Sequence, residues 1–318
     1  MIKIDNIIKE HNVKSVGITG HINPDGDCIG SVLGLYNYIT YNYPEIKVVP
    51  YLTGKPGEYS YLNGFDKIMT EDDGFVPDMF AVLDCSAKER IKPFARIFDS
   101  AGVTVNVDHH VSTGEKMADY TYIDDTAPAV CEVLYTILDN TKFNKNVAEC
   151  IYTGIVTDSG VFKYAATRQK TMEIAGELIT YGFDFSDIID GVFYERTFTQ
   201  TKALAKAIDN AELLFDGKVS YSYVTKEDME SVGVKPSDLG GIVEQLRLIN
   251  GVEVAVFIYP ISDGMNKVSM RSKKYIDVSK YAINHGGGGH IRAAGFSTFD
   301  GMNKIKQDIV AFLEKELS

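Results

Sequence analysis

Four apolar runs mark the first third of the chain: VKSVGITG (13–20), EIKVVPYLT (45–53), DMFAVLDCS (78–86) and AGVTVNVDHH (101–110). Patterns of helical character lie between them, and that alternation predicts a mostly parallel sheet with helices on both faces. Farther on, APAVCEVLYTILDN, NKNVAECIYTGIVTDSG and TRQKTMEIAGELITYG, between about 127 and 182, place apolar residues three and four apart and read as helices. A further helical stretch runs from about 185 to 210. After it, AELLFDGKVSYSYV, GVEVAVFIYP and NKVSMRSKKY read as strands, with helices expected at 237–249 and 300–317. The fold expected is therefore α/β: a catalytic domain over 1–185, a helical connector over 186–211 and a smaller α+β domain over 212–318.

Three of the four early runs end in acids or histidines, namely HINPDGD, DCS and DHH. In an open parallel sheet, chemistry gathers at the carboxyl ends of the strands. Taken singly, each segment has a plainer reading. Asp25-Gly26-Asp27 after a proline fits a turn, Asp84 fits a helix cap, and Asp158 fits a helix terminus. Taken together, His21, Asp25, Asp27, Asp84, Asp108, His109, His110 and Asp158 recur where neighbouring strands end, and independent turns share no reason for that chemistry. Carboxylates with a minority of imidazoles suit Mn²⁺ or Mg²⁺ better than a thiolate zinc site. The charges of Asp25, Asp27, Asp84 and Asp158 match two divalent ions, and a two-metal centre activates water for attack at phosphorus.

Composition narrows the class. With 318 residues, 45% apolar and 24% charged, the chain has the profile of a folded protein of about two domains. No stretch approaches the ~20 apolar residues that cross a bilayer, and the opening MIKIDNIIKEH alternates apolar residues with charges, so a cytoplasmic protein is expected. Cys28, Cys85, Cys131 and Cys150 lack paired spacing and sit in apolar segments, which argues against a disulfide framework or zinc knuckle. Net charge is −12, and the excess is confined to residues 1–199, which hold 17 Lys and Arg against 29 Asp and Glu. An acidic surface disfavours long duplex nucleic acid but leaves room for a short phosphorylated substrate held through cations.

Near the C-terminus, Gly286 to Gly289 offer backbone N–H groups unencumbered by side chains, with His290 at their edge. Arg271, in SMRSKK, suits bidentate phosphate binding. Lys273 and Lys274 read as solvated.

The ordered set HINPDGD, DCS, DHH, TDSG and NHGGGGH resembles the DHH phosphoesterase family with its DHHA1 C-terminal domain, over nearly the whole chain. Length and layout are similar to its stand-alone bacterial nano-RNases, which are oligoribonucleases and 3′-phosphoadenosine 5′-phosphate phosphatases. The resemblance implies two Mn²⁺ (or Mg²⁺ or another divalent ion). One would be held by His21, Asp25 and Asp84, the other by Asp27, Asp84, His109 and Asp158. It places Asp108 as the orienter of a histidine. His110 would face the substrate, either stabilising the attacked phosphate or protonating the leaving oxygen. Arg271, Gly287, Gly288, Gly289 and His290 would grip the far end of the substrate, aided by Arg247 and Arg292. Cys28 departs from the pattern, standing where a small residue such as alanine is common. The implied substrates are short single-stranded oligonucleotides, linear dinucleotides such as pApA, and 3′-phosphoadenosine 5′-phosphate. A cyclic di-AMP phosphodiesterase, a manganese-dependent pyrophosphatase and a non-catalytic nucleotide-binding regulator are the alternatives. No membrane partner is expected, and relatives often form homodimers.

Overall fold

The structure, a computed structural model, describes residues 3–110 and 116–317. The chain divides into two compact units, Met1–Glu195 and Arg196–Ser318.

In the first unit, strands β1 (Ser15–Thr19), β2 (Lys47–Tyr51), β3 (Met79–Leu83), β4 (Val103–Asp108) and β5 (Tyr120–Ile123) form one sheet in the order β2-β1-β3-β4-β5. Every neighbouring pair is parallel. The helices are α1 (Ile4–Glu10), α2 (Gly26–Asn42), α3 (Ala95–Ser100), α4 (Val130–Ile137), α5 (Lys145–Asp158), α6 (Gln169–Leu178) and α7 (Phe185–Ile189). Both faces of the sheet are covered, which is why β3 is apolar throughout rather than alternating. Met79, Ala81 and Leu83 enter the larger core with α1, α2, α4 and α5. Phe80 and Val82 point the other way, against Phe94, Ile97 and Phe98 around α3. The four runs read as strands are β1 to β4. The half-buried YTYI of β5 lacks both alternation and a long apolar run, and escaped the pattern.

β1 leads outward to β2, whereas β3 pairs on the opposite side of β1. The strand order therefore reverses between β1 and β3, and at such a point a crevice opens beyond the strands' carboxyl ends.

The second unit contains α8 (Phe198–Asp209), β6 (Glu212–Leu214), β7 (Val219–Tyr223), α9 (Lys226–Val232), α10 (Ile242–Arg247), β8 (Val254–Ser262), β9 (Met265–Ser272), α11 (Val278–Asn284), β10 (Gly288–His290), β11 (Ala293–Thr298) and α12 (Met302–Leu317). Its mixed sheet runs β10-β11-β9-β8-β7-β6. Residues of α11 and α12 pack on one face, and residues of α8 and α10 on the other.

Two local expectations change. The helical stretch at 185–210 is two helices. α7 ends in a π-helical turn over Asp190–Tyr194, and α8 starts afresh at Thr197, whose side chain accepts from the N–H of Gln200. The helix expected at 237–249 is a 3₁₀ turn, Pro236–Leu239, followed by α10, with Gly241 in the left-handed region at φ +77° between them. The glycine run is partly strand, since β10 pairs antiparallel with β11. Among the described residues, no helix is long and apolar enough to cross a membrane.

Candidate metal centre

His21 follows the end of β1, and its Nδ1 lies 2.8 Å from the carbonyl of Ile22. A carbonyl only accepts, so Nδ1 carries a proton and Nε2 is the ring nitrogen that faces the carboxylates. Asp25 caps α2, its Oδ1 accepting from the N–H of Cys28 at 3.1 Å. Two residues on, Asp27 is fully buried. Its carboxylate accepts from the first N–H groups of α4, Val130 at 2.5 Å and Cys131 at 3.0 Å, where helix N–H groups have no partner of their own. α2 reaches this position because it lies directly against α5. A methyl group on Gly30 would stand 2.6 Å from the carbonyl oxygen of Cys150, and one on Gly154 would stand 2.5 Å from Asp27 Oδ1.

Asp84 follows β3 at φ +57°, a conformation aspartate tolerates better than most residues. Its two oxygens diverge: Oδ2 lies 3.2 Å from His21 Nε2, and Oδ1 lies 3.4 Å from His109 Nε2. The ring of His109 is set as that of His21 is, with Nδ1 donating to the carbonyl of Ala127 at 3.2 Å. Its Nε2 faces Asp27 at 3.8 Å and Asp158, the last residue of α5, at 3.4 Å. Asp25 Oδ2 is 3.7 Å from His21 Nε2. Two rings thus turn Nε2 towards carboxylate oxygens, with Asp84 between them.

Asp108, fully buried at the end of β4, accepts at Oδ1 from the backbone N–H groups of His109 (2.7 Å) and His110 (3.2 Å) and from His110 Nδ1 (2.8 Å). Its Oδ2 accepts from the Ser86 hydroxyl. Asp108 is therefore spent on hydrogen bonds, and His110, with a side chain 48% exposed, also brings Nδ1 to 3.6 Å from Asp84 Oδ1, so that Asp84, His109 and His110 lie within reach of one another.

Electrostatically, the cluster calls for positive charge. Burial, reinforced by Asp84 and Asp158, pushes the Asp27 carboxyl well above the carboxylate range. Burial and the nearby Asp25 and Asp84 push Asp158 up as well. Burial disfavours a charged His21, but Asp25 and Asp84 outweigh it and raise the ring to about 10. Asp108 goes the other way: burial raises it, and the donors of His110 and Ser86 more than offset that. Protein groups that draw protons this strongly offer the same lone pairs to a divalent cation. Asp84 Oδ1 and His109 Nε2 are both buried without a hydrogen-bond partner. Orphaned atoms of that kind, on oxygen and imidazole donors, fit a hard divalent metal. Cys28 Sγ also comes within reach of His21 and Asp84.

In the second unit, strand register aligns two of the candidates: His290 pairs with Ala293, and Ala293 with Arg271. Arg271 is partly engaged, its Nε donating to Glu244 at 2.7 Å. Arg292 donates to the carbonyl of Ile276 at 2.8 Å, and Arg247 reaches that of Ser272 at 3.5 Å. Gly287 and Gly289 lie hard against β11, where a methyl group would come within 2.3 and 2.4 Å of carbonyl oxygens, whereas Gly288 is open. Ser86 and Ala127 hydrogen-bond to the site residues Asp108 and His109, and neither these two nor Glu132 and Arg168 were singled out from sequence. The one legible signal was Glu132, a lone acid inside the apolar helix VCEVLYTI.

Residues 15–155 match the family model described as the DHH family, N-terminal domain, and residues 216–318 match the DHHA1 domain. The chain is 29% identical to the bifunctional oligoribonuclease and PAP phosphatase NrnA of Bacillus subtilis, over 91% of each chain. It is 30% identical to the uncharacterized protein MG371 of Mycoplasma genitalium, over 93% of this chain and 91% of that one. Among solved structures, an exopolyphosphatase-related protein from Bacteroides fragilis superposes with a TM-score of 0.87 at 25% identity, covering 98% of this chain and 95% of the other.

Proposed function

The chain belongs to the DHH family, carries a DHHA1 domain and is a phosphodiesterase/phosphatase hydrolase; on that premise we propose that it is a Mn²⁺-dependent two-metal enzyme acting on very short substrates. It hydrolyses short oligoribonucleotides and linear dinucleotides such as pApA to mononucleotides, and 3′-phosphoadenosine 5′-phosphate to AMP. The observation that carries the two-metal reading is Asp84, whose separate oxygens face His21 and His109. The names of curated relatives support the substrate class.

In this reading His21, Asp25 and Asp84 hold one ion, and Asp27, Asp84, His109 and Asp158 hold the other. When bound, the pair would activate water for attack at phosphorus and offset charge on the phosphate oxygens. The protein's own residues do the rest. Nδ1–H bonds to Ile22 and Ala127 fix the two imidazole rings, and the first turn of α4 fixes Asp27. Asp108 holds His110 through Nδ1, and His110 meets the substrate phosphate or its leaving oxygen. Arg271, Gly287, Gly288, Gly289 and His290 bind the substrate's far phosphate or nucleotide; Glu244, on Arg271 Nε, orients that guanidinium. The four unpaired, buried cysteines support a cytoplasmic setting.

The test is kcat/KM for the purified chain with Mn²⁺ on pApA, 3′-phosphoadenosine 5′-phosphate, cyclic di-AMP, pyrophosphate and a 20-mer RNA. The proposal requires pApA and 3′-phosphoadenosine 5′-phosphate to lead. Faster cleavage of cyclic di-AMP or pyrophosphate reassigns the substrate, and nucleotide binding without turnover makes the chain a regulator.

A further inference from the structure

We propose that Glu132 and Arg168 are positioning residues for the His109–Asp27 half of the metal centre. The inference rests on the two-metal reading above.

Segment 124–132 connects β5 to α4 and touches that half at two places. Its Ala127 carbonyl accepts from His109 Nδ1, which settles which ring nitrogen is presented to the carboxylates. Its Val130 and Cys131 N–H groups hold both oxygens of Asp27. This segment therefore holds the partners of one ligand ring and one ligand carboxylate together, whereas His21 and Asp25 bond to Ile22 and Cys28, outside it.

Arg168, at the start of α6, braces the segment from both ends. One guanidinium nitrogen donates to the Thr126 hydroxyl, and the other to Glu132, while also facing Asp124 at 3.5 Å. Asp124 is itself tied in. Its carboxylate accepts from the backbone N–H and hydroxyl of Thr126, at 3.1 and 2.5 Å, and its own N–H donates to the carbonyl of Asp108 at 3.2 Å. Glu132 is 0% exposed, and its second oxygen accepts from Thr171 at 2.6 Å. The Thr171 hydroxyl also accepts from the N–H of Arg168 at 3.2 Å, which closes a ring from α4 to α6.

A buried acid in an apolar helix is costly unless paired. Here the planar guanidinium sends its two terminal nitrogens to separate partners, Thr126 and Glu132, so it fixes the orientation of the segment as well as pairing the charge. A hydrophobic contact would join α4 and α6 equally well, but would not fix the direction of the Ala127 carbonyl. Outer partners of metal ligands act in this way, and their loss costs about 10- to 100-fold in metal affinity.

The experiment is calorimetric titration of the metal-free full chain with MnCl₂, for the parent and for Arg168→Lys and Glu132→Gln, with thermal melts of each metal-free protein. Arg168→Lys keeps both charges and loses only the fork, so it carries the test if Glu132→Gln fails to fold. The expected result is two Mn²⁺ per parent chain. In the variants, one binding step is weaker by at least about tenfold and the other stays within about twofold. Unchanged binding in both steps overturns the inference and leaves the two-metal reading standing. Equal weakening of both steps with a lowered metal-free Tm also overturns it, making the brace a general fold element. Fewer than two Mn²⁺ on the parent chain overturns the two-metal reading itself, and the inference with it.

Discussion

His109 Nε2 and Asp84 Oδ1 face each other at 3.4 Å, both buried and neither with a hydrogen-bond partner. Leaving such a pair unmatched costs about 1–3 kcal/mol for each group, so the arrangement makes sense where a cation satisfies both. Asp84→Asn should separate this role from the backbone, because asparagine also tolerates the φ of +57° found here. Replacing one anionic oxygen should lower kcat by about a thousandfold or more, about 4 kcal/mol in barrier, while the metal-free Tm changes little. Activity near the parent level at saturating Mn²⁺ would mean that Asp84 is not shared between ions.

The α2–α5 contact gives a second expectation. On Gly154, a methyl group would lie 2.2 Å from Cys131 Sγ and 2.5 Å from Asp27 Oδ1. Gly154→Ala should therefore destabilise by about 1–3 kcal/mol and lower activity by displacing Asp27. Gly176 on α6 meets nothing within 4 Å, and Gly176→Ala should raise stability by about 0.5–1 kcal/mol. Thermal melts of the two variants check the contrast.

These two sites also show how far the sequence was legible. The strand-end clusters HINPDGD, DCS and DHH could be read because acids and histidines after apolar runs are rare unless they are used, and the sheet places them side by side. Asp158 could be read as a helix end, but only the packing of α5 on α2 brings it to within 3.4 Å of His109. Ala127 and the N–H groups of Val130 and Cys131 act through the backbone, and side-chain chemistry carries no trace of that. Arg168 lies 36 residues from Glu132, a separation no periodicity bridges. In the second unit, β10 was hidden because three consecutive strand residues, Gly288, Gly289 and His290, lack an apolar alternation.

His110 is half exposed, with Nδ1 held by Asp108 at 2.8 Å and lying 3.6 Å from Asp84 Oδ1. His110→Ala should lower kcat by about 10²- to 10⁴-fold with Mn²⁺ affinity close to the parent value. A large loss of Mn²⁺ binding would instead place His110 among the ligands.

In α1, Asp5 supplies a pH dependence of stability. It is buried and accepts from Tyr38 (2.7 Å), Tyr43 (2.6 Å) and Lys142 (2.5 Å). Burial raises its carboxyl, but Lys142 and the two hydroxyls outweigh burial and hold it below the ordinary carboxylate value. A group depressed in the folded state contributes stability that is complete above its unfolded pKa, about 4, and is lost as pH falls through the lower folded value. Asp5→Asn should cost about 1–3 kcal/mol at pH 7 and flatten the decline of Tm between about pH 5 and pH 2. An unchanged slope in thermal melts across that range would remove Asp5 as its source.

The most direct measurement is anomalous diffraction at the manganese edge from crystals of the full chain grown with Mn²⁺. The account predicts two peaks, one on each side of the Asp84 carboxylate, the first beside His21 and Asp25 and the second beside Asp27, His109 and Asp158. A single peak, or none within reach of both Asp84 oxygens, would contradict it.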